Sequence, residues 1–365
     1  MVVPQKADDM LAAQPYGRLM DTASRTRPDA TTFSFPPPTG PAASTPTPRR
    51  WRNRLIALAI LAAALALNRG GAVVIVVLFV LVAPFEKLFP RHRQRFRRPD
   101  LRTDIAYGIA TPALAAATTV VSIVIGVASL AWLPGLALRP LVSVLPPAVQ
   151  RVTAILLFDC TFYWLHRFSH EVPFLWRFHA VHHSTRQLDW ASGLRNHPLD
   201  GALFAPVYVF LAAAGVHLAY VGLLAVVQIA LGLFLHANVR WRLRPLHRVV
   251  ITPEFHHWHH TIDARAAHSN YSVFLPIWDI VFGTYFMPAD RRPEQYGIDE
   301  PMPNGMVPQL RYPLRGLPGP QRIVSFAVRH PVRGTRHLLR GVRRGLRQMW
   351  RSARRPTRRV LQSER

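Results

Sequence analysis

The chain has 365 residues, half of them hydrophobic, with 45 Lys and Arg against 19 Asp and Glu and a formal net charge of +26. That excess suits an anionic partner. Long uncharged apolar runs favour a phospholipid membrane over nucleic acid, because a bilayer core needs roughly 20 such residues per helix. The single cysteine, Cys160, excludes an intrachain disulfide and a four-thiolate iron–sulfur cluster.

In chain order, the first domain, 1–54, reads as a disordered cytosolic arm, rich in Pro, Ser, Thr and Ala and without apolar periodicity. It lacks the basic start and following apolar stretch of a signal peptide. A membrane catalytic domain is expected over 55–290. Residues 55–67 are ambiguous, interfacial or half-spanning, and 72–89 make the better span. The arginine-rich "PRHRQRFRRPDLR", 90–102, belongs on the cytoplasmic side by the positive-inside rule. The uncharged run 105–134 then exits, the Pro-rich "LPGLALRPLVSVLPP" marks the far side, and 148–165 returns to deliver His166 to the cytoplasmic face. Residues 201–235, with Gly215-Val216-His217 at their middle, form an out-and-back hairpin that delivers His236 to that face. The expected fold is all-α: a polytopic membrane helical bundle of four to six membrane helices with a cytosolic histidine-rich metal-binding cap. The expected location is a bacterial inner membrane. Residues 291–365 form a basic, partly amphipathic tail suited to an anionic phospholipid surface, with about 1 kcal/mol per basic residue near that surface.

The histidines carry the chemistry. On a helix, residues three or four apart share a face. His166 and His170 have that spacing, as do His179 with His182 and His183, and His256 with His259 and His260. Imidazoles converging in this way suit Zn, Cu, Fe or Ni. His92, His330 and His337 lie in arginine runs and read as solvated, and His217 sits at the far side of its hairpin.

The series His–x3–His, His–x2–His–His, a lone His in "LHANVR" and a last His–x2–His–His followed by "NY" and "WDIVFGTYF" resembles the sterol desaturase/fatty acid hydroxylase superfamily over roughly 72–290. "FDCTFYWLHR" before the first box adds to the likeness. The resemblance implies two iron ions, dioxygen as co-substrate and a lipid substrate of fatty acyl, sterol, hopanoid or carotenoid type, hydroxylated or desaturated in lipid biosynthesis. Carried over by position, the metal ligands would be His166, His170, His179, His182, His183, His236, His256, His259 and His260. Some relatives have a further histidine where Gly232 stands here, and His197 in "RNHPLD" is the candidate for that tenth nitrogen; its other reading is a cap on the helix beginning at Pro198. His257, between ligand positions, is expected to support them.

Asp159, two turns before His166, is expected to orient a ligand imidazole through its second N–H, the alternative being a pair with Arg167 or Arg195. Asp263, Asn238 and Asn270 are weaker supporting candidates. Trp164, Trp176 and Trp258 either line a substrate channel or anchor at the interface. With no iron–sulfur cluster and no Gly-x-Gly-x-x-Gly fingerprint, the chain is expected to need a separate electron-transfer protein, a ferredoxin or a cytochrome b5-like carrier with its reductase. The arginine strips at 91–102 and 332–359 would attract such an acidic carrier. The competing class is a divalent-metal transporter or membrane metal-binding protein. It is disfavoured because the histidines sit at helix ends and the spans offer few polar residues.

Overall fold

Helix breaks, more than helices, decide where the histidines go. The structure, a computed structural model, describes residues 69–95 and 97–316 with isolated positions at 52, 55, 56 and 347. The arm over 1–50, the segment 57–67 and nearly all of the basic tail beyond 316 lie outside the described residues. All the described residues belong to one unit, Pro48–Arg365. Among them the structure is helical, and its only β pairing is two isolated bridges, Pro90 with Val239 and Thr261 with Tyr296.

The helices are α1 (Arg69–Leu88), α2 (Leu101–Ala128), α3 (Trp132–Ser143), α4 (Pro147–Glu171), α5 (Pro173–His183), α6 (Pro198–Leu203), α7 (Ala205–Ala213), α8 (Leu218–Leu235), α9 (Pro253–His259), α10 (Ile277–Val281) and α11 (Met306–Arg311). The run expected as one span over 105–134 stops at Ala128, where Leu130 takes a left-handed φ of 58°. The Pro-rich stretch after it is helix α3 and not a turn, bent 75° from the end of α2. Pro134 falls in the first turn of α3, where its missing N–H costs no helical bond. Gly135 lets α3 lie directly on α7, since a Cβ there would come within 2.6 Å of the Phe210 carbonyl oxygen.

The long α4 ends at Val172, which is extended because a residue preceding proline avoids the helical region. Pro173 then opens α5. The expected hairpin forms as α7 and α8, turning at Gly215 with φ 88°. One core holds these helices together: Phe158 and Phe162 of α4, Val207 and Leu211 of α7, and Val221 and Leu224 of α8 are all buried in it. Each such side chain contributes about 1.5–3 kcal/mol.

By length and composition α8 could cross a membrane, and the bent α2–α3 pair would be a second span if counted as one. Both elements turn large apolar side chains outward: Val120 (70% exposed), Ile123 and Val127 on α2, and Leu223, Val226 (64% exposed) and Ile229 on α8. Apolar surface on that scale marks a lipid or partner contact.

Candidate metal centre

Nine histidines meet where α4, α5, α9 and the end of α8 converge. The ligand atoms of His166, His170, His179, His183 and His259 lie within 4.8 Å of one another, and those of His182, His236, His256 and His260 form a second such group. Inside the first, the Nε2 of His179 is 3.2 Å from that of His166 and 3.1 Å from that of His183. Inside the second, the Nε2 atoms of His236, His256 and His260 are 3.0–3.3 Å apart. Ring centroids of His183 and His260 stand 4.1 Å apart, so the groups are neighbours.

In five of the nine rings the other nitrogen fixes the tautomer. The Nδ1–H of His166 donates to the Tyr271 carbonyl (2.7 Å), that of His182 to the Arg195 carbonyl (3.0 Å), that of His236 to the Gly232 carbonyl (2.6 Å) and that of His259 to the Ser269 carbonyl (2.9 Å). His179 gives its Nδ1–H to the Asp200 carboxylate at 3.0 Å. A carbonyl only accepts, so each of these Nδ1 atoms carries the proton and each Nε2 presents a lone pair inward. The lone pairs of His166 and His179 thus face one another at 3.2 Å and repel unless a cation lies between them. Nitrogens bound to one first-row metal at about 2.1 Å stand about 3.0–3.4 Å apart in octahedral or tetrahedral geometry. Nε2 of His170 and of His259 is buried without any protein partner, as ligand atoms would be. The residues therefore fit two metal ions.

Burial favours the ligating form. His182, His183, His256 and His260 are held well below the usual imidazole value, chiefly by loss of hydration and then by neighbouring imidazoles. Burial brings His259 down to about 3. A neutral ring is what a metal binds.

His197 is not among the converging rings, which corrects the expected tenth nitrogen. Its Nδ1 accepts from Leu199 N–H at 3.1 Å, capping α6, and its Nε2 donates to the Leu310 carbonyl at 3.1 Å. Both nitrogens are used by the backbone, so the helix-cap reading holds. Asp159 also differs from expectation: it touches no imidazole and instead accepts the backbone N–H groups of Val273, Phe274 and Leu275 at 2.9–3.1 Å. It fixes the loop whose Tyr271 carbonyl receives His166. Asp279 holds the other half, accepting from Tyr271 N–H and Ser272 N–H at 2.8 Å each and from the Thr284 hydroxyl.

Asn270 takes φ 60°, which asparagine tolerates, and its side-chain amide donates to the Phe255 and Phe286 carbonyls, tying the loop to α9. His257 faces away from the groups, toward Arg91 and Tyr296. Asn238 pairs with the backbone of His92, and Asp263 pairs with Arg265 near the surface. His92, expected to be solvated, is half-buried against Tyr296. Of the tryptophans, Trp176 packs at a tilt beside His170 and His183 at 5.2 and 5.6 Å, while Trp258 is buried against Phe286 and Trp164 packs on Phe282.

Sequence reasoning missed Asp200 and Asp279, although the signal applied to Asp159, a lone acid in an apolar stretch, applied to them as well. It also missed the buried ladder of Arg98 and Arg195 on Asp104, with contacts of 2.5–2.6 Å, which positions the Arg195 carbonyl for His182. Gly193 is needed where this segment meets the second group: a Cβ there would sit 3.0 Å from Nδ1 of His236.

Residues 151–284 match the fatty acid hydroxylase family, and all nine converging histidines fall inside that range. An ornithine lipid hydroxylase of Rhizobium tropici is 34% identical over 174 residues, 46% of this chain and 51% of that protein. Human alkylglycerol monooxygenase is 30% identical over 156 residues, 41% of this chain and 33% of that protein. The Danio rerio alkylglycerol monooxygenase is 31% identical over 161 residues, with the same shares of the two chains. The chain thus spans about half or less of the length of the curated relatives it matches. No solved structure matches it. The segment that brings the nine histidines together is therefore similar to the fatty acid hydroxylase family and to lipid hydroxylases.

Proposed function

We propose that the chain is an oxygen-dependent membrane lipid hydroxylase with a two-iron centre on the cytoplasmic side of a multi-pass bundle. The observation that carries this reading is the pair of closed histidine groups, with nine inward ring nitrogens and no carboxylate among them. His166, His170, His179, His183 and His259 would hold one ion, and His182, His236, His256 and His260 the other. Bound iron would supply dioxygen activation and oxygen insertion into an unreactive C–H bond, drawing two electrons from outside. The protein's part is to keep the imidazoles neutral by burial, fix five of their tautomers through Asp200 and the four carbonyls, and exclude water around them. The outward apolar side chains of α2 and α8 support a lipid setting.

The relatives' names support hydroxylation over desaturation, and support a polar membrane lipid as substrate. A transporter has less support, because the ligand atoms close into two groups 4.8 Å or less across and do not form a file along a path. With one cysteine in the sequence, a separate carrier, a ferredoxin or cytochrome b5-like protein with its reductase, would deliver the electrons.

The test is lipid analysis of a deletion strain against its complemented parent, followed by turnover of the affected lipid by purified protein with NADPH, ferredoxin, reductase and isotopically labelled dioxygen. One labelled oxygen per product molecule is the expected result. A product that has lost two hydrogens and gained no oxygen would overturn hydroxylation, and activity with NADPH alone over many turnovers would overturn the external carrier.

A further inference from the structure

The segment between α1 and α2 carries arginine at every second position, and Arg93, Arg95 and Arg97 all line one surface pocket of ≈ 390 Å³ together with Arg98, Gln94 and Gln187. Among the described residues no acidic side chain lines it. Arg93, Arg95 and Arg97 are exposed. Arg98, the innermost, is 4% exposed. Asp189 and Asp104 take its Nε and Nη2 at 2.5–2.6 Å, while its Nη1 is buried with no partner. That nitrogen is closed off from solvent, so an entering anion would meet the exposed guanidinium groups of Arg93, Arg95 and Arg97.

From this arrangement we infer that the pocket is a phosphate-binding site, occupied by the phosphodiester of an anionic membrane lipid. Arginine forks match the planar pairs of oxygen atoms that a phosphate presents. The volume lies within the ~300–1,000 Å³ common for small-molecule sites. The pocket also lies where headgroups would: α1 ends just before it, and the outward apolar side chains of α2 follow it in the chain. The site is independent of the metal reading. It is linked to the histidines through Asp189, which caps the turn Trp190–Leu194 that carries Gly193 against His236, and through Asp104, which pairs with both Arg98 and Arg195.

The test uses the purified full chain in a neutral detergent and reads binding alone, by calorimetry. The probes are dihexanoyl phosphatidylglycerol below its micellar concentration, inorganic phosphate, and an acidic ferredoxin. Saturable one-to-one binding of the short lipid is expected, weakened about tenfold or more in Arg93→Gln/Arg97→Gln with metal content unchanged. Phosphate should compete. If it binds as tightly as the lipid, the site stands with free phosphate as its ligand. No saturable binding of either probe, binding unaffected by the double substitution, or loss of ferredoxin binding alone in the variant would each overturn the proposal.

Discussion

Asp200→Asn is the sharpest perturbation of the first histidine group. Its carboxylate, 2% exposed, accepts from Nδ1 of His179 at 3.0 Å, and the other oxygen has no partner. Asparagine keeps the shape but replaces a charged acceptor with a neutral amide. A hydrogen bond to a charged group is worth about 1.5–3 kcal/mol and a neutral one about 0.5–1.5 kcal/mol, so the loss is on the order of 1–1.5 kcal/mol. That corresponds to about tenfold in a metal dissociation constant, at the lower end of the 10–100-fold typical for partners of metal-bound histidine. Only His179 makes this contact, so the ion held with His166, His170, His183 and His259 should be lost first. Titration of the metal-loaded variant with a chelator, alongside circular dichroism to check folding, should show one ion released at about tenfold lower chelator activity and the second unchanged. Equal weakening of both ions, or no change in a folded variant, would refute the reasoning.

Three further outcomes are expected. His197→Gln should leave metal content at the wild-type level and lower thermal stability modestly, by about 1 kcal/mol for a lost helix cap; loss of an ion on elemental analysis would reinstate it as a ligand. Asp159→Asn should destabilise the protein by about 1–3 kcal/mol in denaturant unfolding, because an amide N–H₂ would then face a backbone N–H that now has an acceptor. Unchanged unfolding would sink the clamp role. In the metal-stripped protein, buried histidines with values below the unfolded ~6.5 bind fewer protons than the unfolded chain as pH falls. Stability should therefore be fully present above about pH 6.5 and decline below it, by up to about tenfold in the folding equilibrium per pH unit for each such histidine; for His259 that continues to about 3. A pH-independent midpoint between pH 7 and 5 would contradict this.

The histidines that converge were legible because helical spacing sets which imidazoles share a face, and His179, His182 and His183 need no tertiary information to do so. What joins α4 to α9, or His179 to an aspartate 21 residues away, depends on chain breaks that periodicity does not encode. Leu130 in a left-handed conformation turned one expected span into two helices. Asp159 lay on the right face two turns from His166, but the loop 273–275 reached it first with three backbone N–H groups. His197 was drawn toward the site by its residue type, yet Pro198 behind it starts a helix whose free N–H it caps. The pattern of lone acids in apolar sequence pointed at real supports, but not at which histidine each would serve.

The most direct test of the two-group assignment is elemental analysis of the detergent-purified chain loaded with iron, compared with His170→Ala and His260→Ala. The expected ratio is close to two ions per chain, falling to about one in each variant, with a different ion lost in each. Two ions retained in both folded variants, or a wild-type ratio of one, would contradict it.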